Sequence, residues 1–104
     1  MGTRSVITVE GIEFVKLYKH WDGYPESTLP WLESFNKDFS ENRGDDPEYK
    51  IAQLVRSSAR DAEKFGLDDS LYTGWGLIPY NVYNNDIEYI YHLKTDGTVT
   101  VTEN

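Results

Sequence analysis

The sequence predicts an α+β fold, a mostly antiparallel sheet with two helices packed on it, in the order ββααβββ. Three observations predict it. Runs of β-branched and aromatic residues separated by turn chemistry fill both ends of the chain. Between them, apolar residues recur at helical spacing. The short links between strands imply a mostly antiparallel sheet. With 104 residues and 12.0 kDa, the chain is a single domain, residues 1–104, with material for one core.

Residues 3–9 (Thr-Arg-Ser-Val-Ile-Thr-Val) are β-branched and read as the first strand. Glu10-Gly11 is turn chemistry, and residues 12–20 return as the second strand. A two-residue turn sets Val9 opposite Ile12, Ile7 opposite Phe14 and Val6 opposite Val15. That register matches apolar residues on both faces and predicts a hairpin that is central or covered on both sides. Gly23-Tyr24-Pro25 breaks the strand. Ser27 or Thr28 caps the first helix, with Pro30 in a first turn that needs no N–H there. Leu29, Leu32, Phe35 and Phe39 form its buried stripe, and Arg43-Gly44 ends it. Asp45 and Glu48 have the spacing of a capping box for the second helix, with Pro47 in its first turn. Ile51, Leu54, Val55, Ser58, Ala62 and Phe65 share one face, and Gly66 supplies the C-terminal cap.

Residues 77–83 read as a strand in which Pro79 marks a sheet edge. Asn84-Asn85-Asp86 is a turn. Residues 87–93 follow as a strand with Ile87, Tyr89, Tyr91 and Leu93 on one face. The last hairpin turns at Thr95-Asp96-Gly97, with Gly97 left-handed, Leu93 opposite Val99 and Tyr91 opposite Val101.

Charge and composition exclude several function classes. The net charge is −8. Residues 26–70 hold eleven acids against six bases, so the acidity concentrates on the helices. Direct binding of nucleic acid or of an anionic membrane is disfavoured by that sign. The absence of cysteine removes disulfides, thiolate nucleophiles and cysteine zinc sites, and fits a reducing compartment. No apolar run reaches spanning length and no signal-peptide core opens the chain, so a cytoplasmic location is expected.

The densest chemistry lies in Tyr18-Lys19-His20-Trp21-Asp22-Gly23-Tyr24-Pro25. In the register above, Thr3, Ser5, Lys16, Tyr18 and His20 share a polar face, rimmed by Trp21 and Tyr24. The candidate ligand-binding residues are Arg4, Lys16, Tyr18, His20, Trp21, Asp22 and Tyr24. Read structurally, the same stretch is a strand-to-helix connector, with Asp22 bonding nearby N–H groups, Gly23 supplying a positive φ and Pro25 stiffening the exit. Both readings stand at this point. The catalytic candidates are His20 and Asp22, a base and the carboxylate that orients it. No serine elbow, phosphate loop or zinc signature accompanies them, so neither a metal nor a cofactor is expected. The start of the first helix, with Ser27, Thr28, Lys16, Lys19 and Arg4, has the composition of an anion site, opposed by Glu26 and Asp22. Asp45, Asp46, Glu48, Asp61, Glu63, Asp68 and Asp69 admit a mimic of nucleic-acid charge, diluted by the bases among them.

Thr3-Arg4-Ser5 opening the first strand, and Tyr18-Lys19-His20-Trp21-Asp22-Gly23-Tyr24-Pro25 closing the second, resemble a family of small uncharacterised proteins. These are widespread in bacteria, archaea and their phages, with an N-terminal T-R-[ST] and a Y-x-H-W-D-G-Y-P motif. The resemblance extends to the strand Glu88-Tyr89-Ile90-Tyr91 and covers the helices by position only. It carries over onto Arg4, Tyr18, His20, Trp21, Asp22, Gly23, Tyr24 and Pro25. It implies a role in the conflict between mobile elements and hosts, and no particular activity.

The sequence therefore points to a small non-catalytic binding protein with its site at the end of the first hairpin. The expected partner is a small molecule, nucleotide-like or otherwise anionic, or a protein. The alternatives are a small hydrolase using His20 and Asp22, and an acidic protein-interaction module acting through the helices.

Overall fold

Helix–sheet alternation in the sequence resolves into seven elements: β1 (Arg4–Val9), β2 (Val15–Lys19), α1 (Pro25–Arg43), α2 (Pro47–Glu63), β3 (Trp75–Pro79), β4 (Ile87–Leu93) and β5 (Val99–Glu103). The structure, a computed structural model, describes residues 3–20, 22–63, 74–82 and 86–104, with backbone only for 59–63. The five strands form one sheet in the order β3-β2-β1-β4-β5. Three of its pairings are antiparallel, and β1 runs parallel to β4. This is the predicted α+β architecture. The doubly apolar β1 sits at the centre, as its composition requires.

Alternate residues of the central strands point to the helices. Ile7 and Val9 of β1, Leu17 of β2, and Tyr91 and Leu93 of β4 meet Leu32 of α1 and Leu54 of α2 in one buried cluster. Trp31 of α1 stands edge-on to Trp75 of β3, with ring centroids 5.4 Å apart. At about 25 cal/mol per Å² of apolar surface, this layer is the main source of stability.

The first hairpin departs from expectation. Ser5 pairs with Lys19, Val6 with Tyr18 and Ile7 with Leu17, three residues out of the predicted register. Glu10-Gly11 does turn the chain, with Gly11 at φ 96°, but β2 does not begin until Val15. Ile12 is the reason: it leaves the strand path and drops into the core, 1% exposed, while Phe14 is thrown out to 70%. A side chain that looked like one rung of a strand is a plug between sheet and helices. Because three is odd, the slip exchanges the faces of β1 relative to β2.

The helices keep their predicted places with altered starts. Helix α1 begins at Pro25, with Tyr24 as N-cap and no side-chain capping bond. The Thr28 hydroxyl donates instead to the carbonyl of Asp22 at 3.0 Å, and Pro30 lies inside the helix. Leu32 and Phe39 are buried as expected, Leu29 and Phe35 only partly, and Thr28 and Asn36 join the buried face. Helix α2 takes Asp46, not Asp45, as its cap. The Asp46 carbonyl receives the Lys50 N–H at 2.9 Å, and its carboxylate pairs with Arg43 at 2.9 Å. On α2, Leu54 and Ser58 are buried and Ile51 partly so, whereas Val55 is exposed. The expected roles of Ala62, Phe65, Gly66, Tyr83 and the Asn84-Asn85 turn lie outside the described residues.

Strand β3 starts at Trp75 and stops at Pro79, on the sheet edge that Pro79 predicts. His20 N–H bonds to the Gly74 carbonyl at 2.7 Å, and Tyr80 N–H to that of Phe14 at 3.2 Å. The alternation between these bonds turns the backbone groups of Trp75, Leu77 and Pro79 away from β2, so Pro79 stands where the ladder asks for no N–H. The last hairpin forms as predicted, with Leu93 opposite Val99, Tyr91 opposite Val101, and Gly97 at φ 96°. Its turn is fastened to α1: the Asn36 amide donates to the carbonyls of Lys94 and Thr98, each at 2.9 Å, and the Ser40 hydroxyl to that of Thr95 at 2.8 Å. Among the described residues, no helix is long and apolar enough to cross a membrane.

Candidate functional site on the open face of the sheet

Residues of β1, β2 and β4 that alternate with the core set lie on the other face of the sheet. In the observed register this face carries Arg4, Val6 and Thr8 from β1, Lys16 and Tyr18 from β2, and His20 just beyond its end. Ile90 and His92 from β4 complete it. The polar face foreseen for Lys16, Tyr18 and His20 is therefore present, but its membership changes. Arg4 joins it, while Ser5 turns inward to a fully buried position. The three-residue slip is the cause.

Three side chains converge at one end. Tyr18 Oη lies 2.9 Å from His20 Nδ1, and Arg4 Nε donates to the same nitrogen at 3.4 Å. A nitrogen facing two donors is the acceptor of the ring, so Nε2 carries the proton in the tautomer that fits. The Tyr18 and His20 rings are tilted at 49° with centroids 6.0 Å apart. Arg4 Nη1 reaches the Asp86 carboxylate at 3.7 Å, with both side chains substantially exposed. Sequence reasoning did not find Asp86, because only the parallel β1–β4 pairing brings the start of β4 beside Arg4.

The other candidates do not gather there. Lys16 is two strand positions beyond Tyr18 and donates to the carbonyl of Val82 at 2.7 Å, its ammonium 5.9 Å from the Tyr80 ring. Partial burial lowers its pKa from the ordinary lysine value. Asp22 takes the positive φ of 57° that the sequence assigns to Gly23. Tyr24, partly exposed, heads α1 on the helix side of the sheet. Trp21 lies outside the described residues.

Gly23 is required for a different reason from the one foreseen. Its N–H bonds to the Thr3 carbonyl at 2.8 Å, and a Cβ at this position would stand 2.5 Å from Ser5 Oγ and 2.7 Å from Thr3 O. Close approach of two backbones, not conformation, selects glycine. Asp22-Gly23-Tyr24-Pro25 thus links the sheet to α1, while Tyr18 and His20 belong to the half-buried cluster with Arg4.

The residues of the other candidate arrangements have partners of their own. The pieces of the anion site at the start of α1 point elsewhere. The Thr28 hydroxyl is spent on Asp22, Lys19 is buried with its ammonium 4.2 Å from the centre of the Trp75 ring, and Arg4 is on the opposite face. In the hydrolytic pair, His20 Nδ1 is engaged by Arg4 and Tyr18.

His92 belongs to a second, separate polar group. The Thr8 hydroxyl donates to the Tyr91 carbonyl at 3.2 Å and lies 2.6 Å from His92 Nδ1. With its single proton on the carbonyl, Thr8 receives the Nδ1–H of His92. Thr8 lies four positions along β1 from Arg4, roughly 13 Å at strand rise, so the two histidines are kept apart. Among the described residues no group of three metal-ligating side chains forms. No protein-family model, no curated protein and no solved structure matches this chain, so the chemistry of Arg4, Tyr18 and His20 is what speaks for the site.

Proposed function

We propose that this chain is a small binding protein without catalytic turnover, which holds a compact anionic molecule at the Arg4–Tyr18–His20 end of the open sheet face. The observation that supports it is the convergence of a guanidinium, a phenol and an imidazole from β1 and the end of β2. Strands hold side chains with less freedom than loops, so little ordering is needed on binding. Arg4 already attracts one carboxylate, that of Asp86, at the long distance of 3.7 Å. An exposed pair of this kind is worth ~0–1 kcal/mol, so a ligand phosphate or carboxylate with better geometry displaces it at small cost. The tilted Tyr18 and His20 rings offer a surface for a flat group attached to that anion, which suits a nucleotide-like molecule. The resemblance to the Y-x-H-W-D-G-Y-P family gives the binding its setting within the same proposal, sequestration of such a metabolite in the conflict between mobile elements and hosts.

The test is mass spectrometry of small molecules released from the purified protein, beside a folded Trp21→Ala, His20→Ala variant. It is joined to a titration with nucleoside mono- and triphosphates followed through the imidazole resonances. The expected result is an anion carried by the native protein and lost from the variant, with shifts at His20 and none at His92. A native protein that releases nothing, and whose His20 resonances stay fixed up to millimolar nucleotide, overturns the proposal.

A further inference from the structure

We propose that the outer edge of β5, unpaired among the described residues, is a self-association surface, through which two copies of this chain pair antiparallel and join their five-stranded sheets into one. Lys94 N–H bonds to the Thr98 carbonyl and Asn104 N–H to the Glu88 carbonyl, both at 2.9 Å. Those bonds turn the backbone groups of Thr98, Thr100, Thr102 and Asn104 towards β4. The N–H and C=O groups of Val99, Val101 and Glu103 consequently point outward.

Sheet edges in folded proteins are ordinarily blunted by proline, lysine, a bulge or an inward charge. The opposite edge follows that rule, with Pro79 in an outward position of β3. In β5 the run Val99-Thr100-Val101-Thr102 contains none of these devices, and Val101 is 38% exposed.

The occupant that fits is a second copy. With a two-fold axis at Thr100, Val99 of each copy faces Val101 of the other, and Thr98 faces Thr102. Valines then meet on the helix side and threonines on the open side, both favourable cross-strand pairs. An axis at Val101 would set Val99 against Glu103, so the first register is selected. It also brings Glu103 of the second copy opposite Gly97. Gly97 lies directly on α1, where a Cβ would be 3.3 Å from Ser40 and 3.7 Å from the Cα of Lys37. A groove of about 570 Å³, lined by Glu33, Lys37, Ser40, Glu41, Asp96 and Val99 among others, runs beside this edge, with three acids to one base. Each copy carries a net charge of −8, so screening by salt tightens the pair.

The test is sedimentation equilibrium from micromolar to millimolar protein, with amide exchange measured at both ends of that range. The mass is expected to rise from 12.0 kDa towards twice that value, more steeply at higher salt. Exchange at Val99, Val101 and Glu103 slows with concentration, while Thr100 and Thr102, already bonded to β4, do not change. Val101→Pro removes an outward N–H without breaking the β4 ladder, and Val101→Lys adds an edge charge. Both variants are expected to keep native circular dichroism and to stay at the mass of one chain throughout. A native chain that remains at 12.0 kDa at millimolar concentration overturns the proposal. So does association that persists in both folded variants, or protection that appears elsewhere than at the outward amides of β5.

Discussion

The phenol of Tyr91, in the middle of β4, donates to the carbonyl oxygen of Gly23 at 2.6 Å and so ties the connector before α1 to the sheet. Tyr91 is fully buried, and that burial is the main cause of a pKa raised to about 12. A phenol whose folded pKa lies above its unfolded value of 10.0 contributes stability in full below pH 10 and loses it as pH rises towards 12. Stability is expected to fall by up to ~1.4 kcal/mol per pH unit across that window. Tyr91→Phe should cost about 1–3 kcal/mol at neutral pH, by stranding the Gly23 carbonyl, and should flatten the alkaline limb. Urea unfolding at a series of pH values measures both.

Two neighbours in the connector are expected to respond oppositely to the same kind of change. Gly23→Ala forces a methyl to within 2.5 Å of Ser5 Oγ and 2.7 Å of a backbone oxygen, and should destabilise by ~1–3 kcal/mol or more. Asp22→Gly relieves the positive φ of 57° and should be near neutral in thermal unfolding. Ser5→Ala removes a buried hydroxyl that has no hydrogen-bond partner among the described residues, and should cost nothing beyond its small loss of contact.

Arg4 and Asp86 give the proposed site a signature that a merely structural cluster would lack. Asp86→Asn removes the carboxylate that competes for the guanidinium and should strengthen binding of an anionic ligand several-fold. Arg4→Gln should weaken it at least tenfold. Isothermal titration with the ligand released from the native protein separates the two. Equal losses in both variants would count against Arg4 as the anion contact.

The Asn36 side chain reads as a clamp whose polarity matters more than its size. Its amide serves two carbonyls at 2.9 Å. Asn36→Ala should cost ~2–3 kcal/mol, and Asn36→Asp more, because it turns a carboxylate oxygen towards two acceptors in a buried place. Thermal unfolding of the two variants tests the order.

Acid is expected to loosen the same turn. Glu10 accepts the Thr95 N–H at 2.7 Å, which holds its carboxyl below the usual carboxylate value. Asp96 is lowered by the Thr98 hydroxyl and N–H, at 2.6 and 3.0 Å. A depressed folded pKa means stability that is present above the unfolded value and lost as pH falls through the folded one. A Glu10→Gln, Asp96→Asn variant should therefore show a shallower acid slope below about pH 4.5 than the native chain. Faster amide exchange at Thr95 and Thr98 in acid would be its local counterpart.

Much of this architecture is legible in the residues, for reasons that differ between the two hairpins. Thr95-Asp96-Gly97 permits one arrangement that also aligns Leu93 with Val99, so local turn chemistry and side-chain pattern agree. At Glu10-Gly11 they conflict. Ile12 and Phe14 continue the alternation of β2, yet one is a core plug and the other is exposed. Only the presence of the helices decides that. The same tertiary fact moved Arg4 to the open face and Ser5 to the inner one. Tyr18 and His20 still share a face because they are two residues apart in one extended run, where parity is independent of register. Asp86 was invisible because a parallel neighbour leaves no turn between the strands to announce it.

The pairing of Ser5 with Tyr89 and of Val9 with Leu93 spans nearly the whole chain. Hairpin β4–β5 and the two helices can each be nucleated by near neighbours, but the middle of the sheet waits for a meeting of distant segments. That encounter bears the entropy of closing a long loop, so it governs how fast the molecule folds. Until it happens, the apolar β1 is without its β4 partner, and crowding or delay in that interval favours clumping over folding. A topology that makes β1 the best-protected strand of the finished protein makes it the most vulnerable one on the way there.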